Sequence, residues 1–218
     1  MSIAARHSAL ASARRGTVTF FRQAVLENAT MGAIAPTSAS VARQMAALIP
    51  PRPGVTVLEL GAGTGAVSSA VGPRLGSESR HLAVDRDPAL LAVLEHTAPW
   101  AERLLIDVTV LSDRLAELEI PKADVVLSTL PWSRFSREQH RLFLGQITRV
   151  MAQDGVFATL AYRPTRLIGR SRAFRAALRS SFGEVLVTST LWANVPPARM
   201  YVCRRPQPDP ESPTTPID

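Results

Sequence analysis

Hydrophobic and polar positions change period several times along this chain, and the changes mark its elements. Val18, Phe21 and Val25 recur at spacings of three and four within residues 1–28, the period of one apolar helix face. Val41, Met45 and Leu48 form a second such stripe over residues 38–49. Pro36 precedes it, and the hydroxyl of Thr37 or Ser38 can cap its first turn. Pro50-Pro51-Arg52-Pro53-Gly54 ends that helix, and strand and helix patterns then alternate. The runs 55–60, 81–85, 103–106, 124–129 and 156–162 predict five strands. Helices begin near Ala66, at Asp87-Pro88 and at Arg137, the last reaching Met151 with Leu142, Phe143, Ile147, Val150 and Met151 on one side. A basic amphipathic helix over 171–182 follows, and the runs 184–190 and 199–204 complete the sheet as an antiparallel hairpin. Such alternation predicts an α/β fold: a seven-stranded, mostly parallel sheet with helices on both faces.

Composition adds limits. At 218 residues, 46% hydrophobic and 20% charged, the chain suits one globular domain with a modest appendage. The predicted organisation is a basic amphipathic helical segment at 1–30, one domain at 31–205, and a tail at 206–218 whose Pro, Ser and Thr content predicts disorder. No run of eighteen uncharged apolar residues is present, and Arg14 and Arg15 interrupt any signal-peptide core. Cys203 is the single cysteine, which fits a reducing compartment and excludes cysteine-ligated zinc within one chain, so a cytoplasmic location is expected.

The net charge is +7, and Lys122 is the sole lysine. Arginine richness has two explanations that charge alone does not separate: codon bias, or the affinity of guanidinium forks for phosphate. Placement is more informative. Arg6, Arg14, Arg15 and Arg22 face a single acid, Glu27, in the first 28 residues. Arg172, Arg175 and Arg179 make one stripe, and Phe174, Leu178 and Phe182 another. Basic stripes beside apolar ones suit an anionic lipid surface, or a solvated face over an ordinary core.

The chemistry concentrates where the first core strand meets Gly61-Ala62-Gly63-Thr64-Gly65. Glycines let the backbone turn sharply and approach a ligand, and a helix N-terminus beyond them favours an anionic group. The run is Glu-x-Gly-x-Gly-x-Gly, with Glu59 inside the strand, whereas dinucleotide sites use Gly-x-Gly-x-x-Gly. Asp85 ends the next strand about twenty residues later, where a carboxylate can accept both ribose hydroxyls. Asp107 ends the third, where it can take an adenine amino group. On these residues the chain resembles the class I methyltransferases, whose Rossmann-like fold the element order also matches over residues 30–205. The resemblance implies S-adenosylmethionine as cofactor and no metal. The residues it implies as the cofactor's are Glu59, Gly61, Ala62, Gly63, Gly65, Asp85, Arg86, Asp107, Val108, Thr129 and Leu130.

Flanking residues bear on the methyl acceptor. Gly32-Ala33-Ile34-Ala35-Pro36-Thr37-Ser38, Ser128-Thr129-Leu130-Pro131, Tyr162-Arg163-Pro164 and Trp192-Ala193-Asn194-Val195-Pro196-Pro197-Ala198 resemble segments of bacterial phospholipid N-methyltransferases. That resemblance implies stepwise methylation of phosphatidylethanolamine, ornithine lipid or a related aminolipid by a peripheral enzyme on the inner face of the membrane, and a monomer is expected. Methyl transfer is an in-line displacement, so catalysis is mainly positioning and removal of the ammonium proton. Tyr162 is the candidate to orient or deprotonate the amine. Trp132, with Phe135, Tyr162 and Trp192, is a candidate wall for a methylated ammonium. No His–carboxylate pair is evident near the fourth strand, and His140 is expected on a helix surface. Two rivals remain: a methyltransferase for a soluble small molecule, and an enzyme like the rRNA adenine dimethylases. The latter use Asn-Leu-Pro-Tyr where this chain has Thr129-Leu130-Pro131-Trp132.

Overall fold

The computed structural model describes residues 37–162 and 168–207. The predicted helical segment 1–30, the run Gly32–Pro36, Arg163-Pro164 and the tail from 208 lie outside them. Seven strands form one sheet: β1 (Thr56–Leu60), β2 (Arg80–Asp85), β3 (Glu102–Leu105), β4 (Ala123–Ser128), β5 (Met151–Tyr162), β6 (Phe182–Val187) and β7 (Ala198–Pro206). Their spatial order is β3-β2-β1-β4-β5-β7-β6. β1 to β5 pair in parallel, and β7 runs antiparallel between β5 and β6. The predicted hairpin is therefore present, although the strand expected at 184–190 begins two residues earlier and β7 extends to Pro206.

The helices are α1 (Ala39–Ala46), α2 (Ser68–Val71), α3 (Pro88–Thr97), α4 (Leu111–Glu117), α5 (Arg137–Val150) and α6 (Ile168–Ser181). Their starts are written in capping residues. The Ser38 hydroxyl accepts from the Val41 amide, the Asp87 carboxylate from the Ala89 amide, and Ser136 and Gln139 form a reciprocal box at α5. The helix expected from Ala66 is a single turn, because Gly72 and Pro73 follow and the chain continues as a 3-10 turn over Gly72–Arg74. The α5 stripe also differs from expectation. Leu142 is exposed and Leu144 faces the core, while Met151 already opens β5.

Strand alternation divides the core. Leu58, Leu60, Val126, Phe157, Tyr201 and Cys203 meet α4, α5 and α6 on one face. Val57, Val125, Leu127, Ala158 and Val202 meet α1 and α2 on the other, and α3 packs beside them over Ala83. Phe174 and Leu178 of α6 belong to the first layer. The apolar stripe of this basic helix is thus core, and what α6 offers outward is its exposed arginines, Arg172, Arg175 and Arg179. Among the described residues no helix is long and apolar enough to cross a membrane.

Candidate active site

The chain steps outward from β1 to β2 and β3 on one side and from β4 to β5 on the other. The carboxyl ends of β1 and β4 therefore border a crevice at the point where strand order reverses, the ligand position of open α/β sheets. Gly61 to Gly65 leave β1 at this crevice. The Gly61 and Ala62 amides donate to the Val84 carbonyl of β2 at 2.9 and 3.1 Å. Gly61, Gly63 and Gly65 have φ of +74°, +56° and +88°. Gly65 needs glycine twice over, since a Cβ there would stand 2.6 Å from the Thr97 hydroxyl and 2.8 Å from Leu94. At Gly63 the outer face is open backbone, with nothing nearer a Cβ position than the Gly61 carbonyl at 3.9 Å.

The half-buried Asp85 carboxylate closes the loop from the β2 side. Its Oδ2 accepts from the Gly63 amide at 2.9 Å and its Oδ1 from the Asp87 amide at 3.0 Å. Across the crevice, the Thr129 amide donates to the Leu60 carbonyl at 3.0 Å and its hydroxyl to the Gly61 carbonyl at 2.6 Å. Leu130 lies over Gly61, 3.2 Å from where a Cβ would be. Gly61, Ala62, Gly63, Gly65, Asp85, Thr129 and Leu130 are therefore brought together, as the sequence predicts. Asp107 is exposed two residues past β3, and its Oδ1 accepts from the Thr109 amide and hydroxyl at 2.9 and 2.8 Å. Those two bonds, the amide first, hold its pKa below the usual carboxylate value, with the nearby charge of Arg86 adding to them. Arg86 is exposed and Val108 buried.

Glu59 is placed differently from expectation. It is 0% exposed, beneath the loop, where its Oε2 accepts from the Ser68 hydroxyl at 2.7 Å and lies 2.9 Å from His81 Nε2. It ties β1 to α2 and β2, so it positions the glycine loop from below. The His81 partnership was missed by sequence reasoning. Its signal was an ionisable residue inside an apolar strand, which needs a buried partner, with His81 opening the adjacent strand.

One aromatic expectation is corrected. Trp132 is 2% exposed. Its indole N–H donates to the Thr159 hydroxyl at 2.7 Å, and its ring stacks on Phe174 with centroids 4.8 Å apart, edge-on to Phe135, Phe143 and Phe157. It is core, because the 3-10 turn Trp132–Arg134 folds it under α5 and α6. Trp192 is 73% exposed. His140, expected on a surface, is 1% exposed with Nε2 2.8 Å from the Trp132 carbonyl, so Nε2 carries the proton. Burial lowers its pKa, and the carbonyl bond opposes that only in part. Tyr162 ends β5 at the carboxyl edge of the sheet, its backbone opposite Ala198.

Residues 57–155, which hold the crevice, match the family model of a methyltransferase domain. A curated relative, the ornithine lipid N-methyltransferase of Singulisphaera acidiphila, is 29% identical over 179 residues, covering 80% of this chain and 88% of its own. The chain is an S-adenosylmethionine-dependent methyltransferase with a Rossmann-like fold. Solved structures share the methyltransferase's fold. A TehB-like S-adenosylmethionine-dependent methyltransferase from Corynebacterium glutamicum aligns at TM-score 0.57 and 14% identity, over 88% of this chain and 99% of its own. Human methyltransferase-like protein 13, in complex with SAH, aligns at TM-score 0.56 and 20% identity, over 80% and 82%. The crevice fits the methyltransferase's cofactor, since it offers open glycine backbone with the Asp85 carboxylate beside it. Among the described residues no cluster of His, Cys, Asp and Glu is arranged to hold a metal ion.

Proposed function

We propose that this methyltransferase methylates the amine head group of a membrane aminolipid, an ornithine lipid or a phosphatidylethanolamine. The observation that carries this is the likeness to an ornithine lipid N-methyltransferase. Its 179 residues extend well beyond the segment 57–155, so the likeness takes in the flanks as well as the cofactor crevice. Gly61, Ala62, Gly63 and Gly65 would cradle the cofactor, Asp85 its ribose, and Asp107 with Arg86 and Val108 its adenine, while Thr129 and Leu130 form the opposite wall. Tyr162, at the end of β5 beside this wall, would orient the amine. The enzyme would work as a cytoplasmic monomer docked on the inner face of the membrane, with the basic segment 1–30 as anchor.

A specific observation disfavours the rRNA adenine alternative. Adenine chemistry of that kind needs a side-chain acceptor at position 129 and an aromatic face at 132. Here position 129 is a threonine with no amide group, and Trp132 is buried. Incubation with radiolabelled S-adenosylmethionine and either extracted bacterial lipids or rRNA tests the proposal. Label extracting into chloroform is the expected result, and label on RNA, or on neither, would overturn it.

A further inference from the structure

Two exposed tryptophans occupy opposite edges of the sheet. Trp100, 44% exposed, precedes β3 at the amino edge and lies over Gly72. Trp192 lies in the loop joining β6 to β7. Since β5 and β6 both run antiparallel to β7, this loop stands at the carboxyl edge, the edge of the crevice. Trp192 and Val195 are the most exposed large apolar residues described, at 73% and 75%.

Solitary exposed apolar residues are ordinary, but these two are presented by a pinned loop. Between them Asn194 is 0% exposed. Its Oδ1 accepts from the Ser38 amide at 2.9 Å and its Nδ2 donates to the Pro196 carbonyl at 3.0 Å. The Leu191 amide donates to the Ala198 carbonyl at 2.7 Å, closing the loop's base. A loop so held does not fold its tryptophan back onto the protein.

The charge beside it is positive. Arg199 follows the loop at once, opposite Ala161, and its buried Nε has no partner among the described residues. α6, on the face of the sheet that Tyr201 shares, carries exposed Arg172, Arg175 and Arg179. Burial raises the Tyr201 pKa, and the charges of Arg175, Arg199 and Arg179 each act against that. An aromatic tip followed closely by an arginine suits the headgroup region of an anionic bilayer, where tryptophan's apolar ring and polar N–H are both accommodated.

We propose that the loop 191–197 is a membrane-contact element. Trp192 and Val195 enter the headgroup–acyl boundary of an anionic bilayer, Arg199 beside the loop meets lipid phosphate, and the crevice is turned toward the lipid. This rests on the aminolipid reading and supplies the surface through which that acceptor is reached. The test uses the full chain with phosphatidylcholine–phosphatidylglycerol vesicles whose acyl chains carry bromine, a contact quencher of tryptophan. Wild-type emission falls on vesicle addition, and Trp192→Phe removes that fall while the protein still sediments with vesicles. Trp192→Ala with Val195→Ser lowers the vesicle partition coefficient by about ten-fold, a loss of the size expected for two interfacial apolar side chains. Its cofactor binding by calorimetry is unchanged. Absent quenching, or quenching that survives Trp192→Phe, overturns the proposal. These vesicles contain no methylatable amine, so docking is read without methyl transfer. Quenching through Trp192 in a protein that labels no lipid keeps this element and overturns the acceptor.

Discussion

Asp85 holds the amides of Gly63 and Asp87 and still has lone pairs free at the crevice. Asp85→Ala is expected to abolish measurable S-adenosylmethionine binding by calorimetry, and unchanged affinity would sink its assignment to the cofactor. His140 carries a different prediction. Its folded pKa lies below the ordinary 6.5, so below that pH the unfolded chain takes a proton that the folded protein refuses. Stability is therefore intact above 6.5 and falls as pH drops toward the folded value. Melting temperatures followed from neutral to mildly acid pH should decline less steeply for His140→Gln than for wild type; equal slopes would refute the assignment. Burial of this kind is invisible one residue at a time. His140 sits in a helix rich in charged residues, and only the turn Trp132–Arg134 brings a backbone carbonyl to its ring.

At the scale of elements, α5, α6 and the turn after β4 share one aromatic layer. Trp132 fills its centre. Trp132→Ala is expected to cost about 3–5 kcal/mol in urea unfolding, and Trp132→Phe about 1–2 kcal/mol, because the Thr159 hydroxyl loses its indole donor. Neither should raise KM for the amine beyond what destabilisation explains. A selective KM increase in Trp132→Phe would restore the ammonium-wall role. Most of these elements were legible in the sequence, since Ser38, Asp87 and Ser136 announce helix starts and β-branched runs announce strands. Which apolar stripe faced core and which faced outward was not legible for α6. An amphipathic helix has the same period whether it lies on a sheet or on a bilayer.

The whole molecule places its cofactor crevice and its exposed tryptophan loop, with Arg199 just past that loop, toward one edge of the sheet. If the basic segment 1–28 is a second anchor, deleting it should weaken sedimentation with anionic liposomes while calorimetric cofactor binding persists. Undiminished sedimentation would assign docking to the core alone. The cofactor was determined by sequence alone: a strand entering Gly61–Gly65, with Asp85 at the next strand's end, encodes a local turn and a local acceptor that need few distant partners. Tertiary structure decided the rest. Glu59, Trp132 and His140 became interior, and Trp192 became surface, because burial depends on contacts between segments far apart in the chain, as in the bond between Ser38 and Asn194. Periodicity records which residues share a face of one element, and packing alone decides what that face meets.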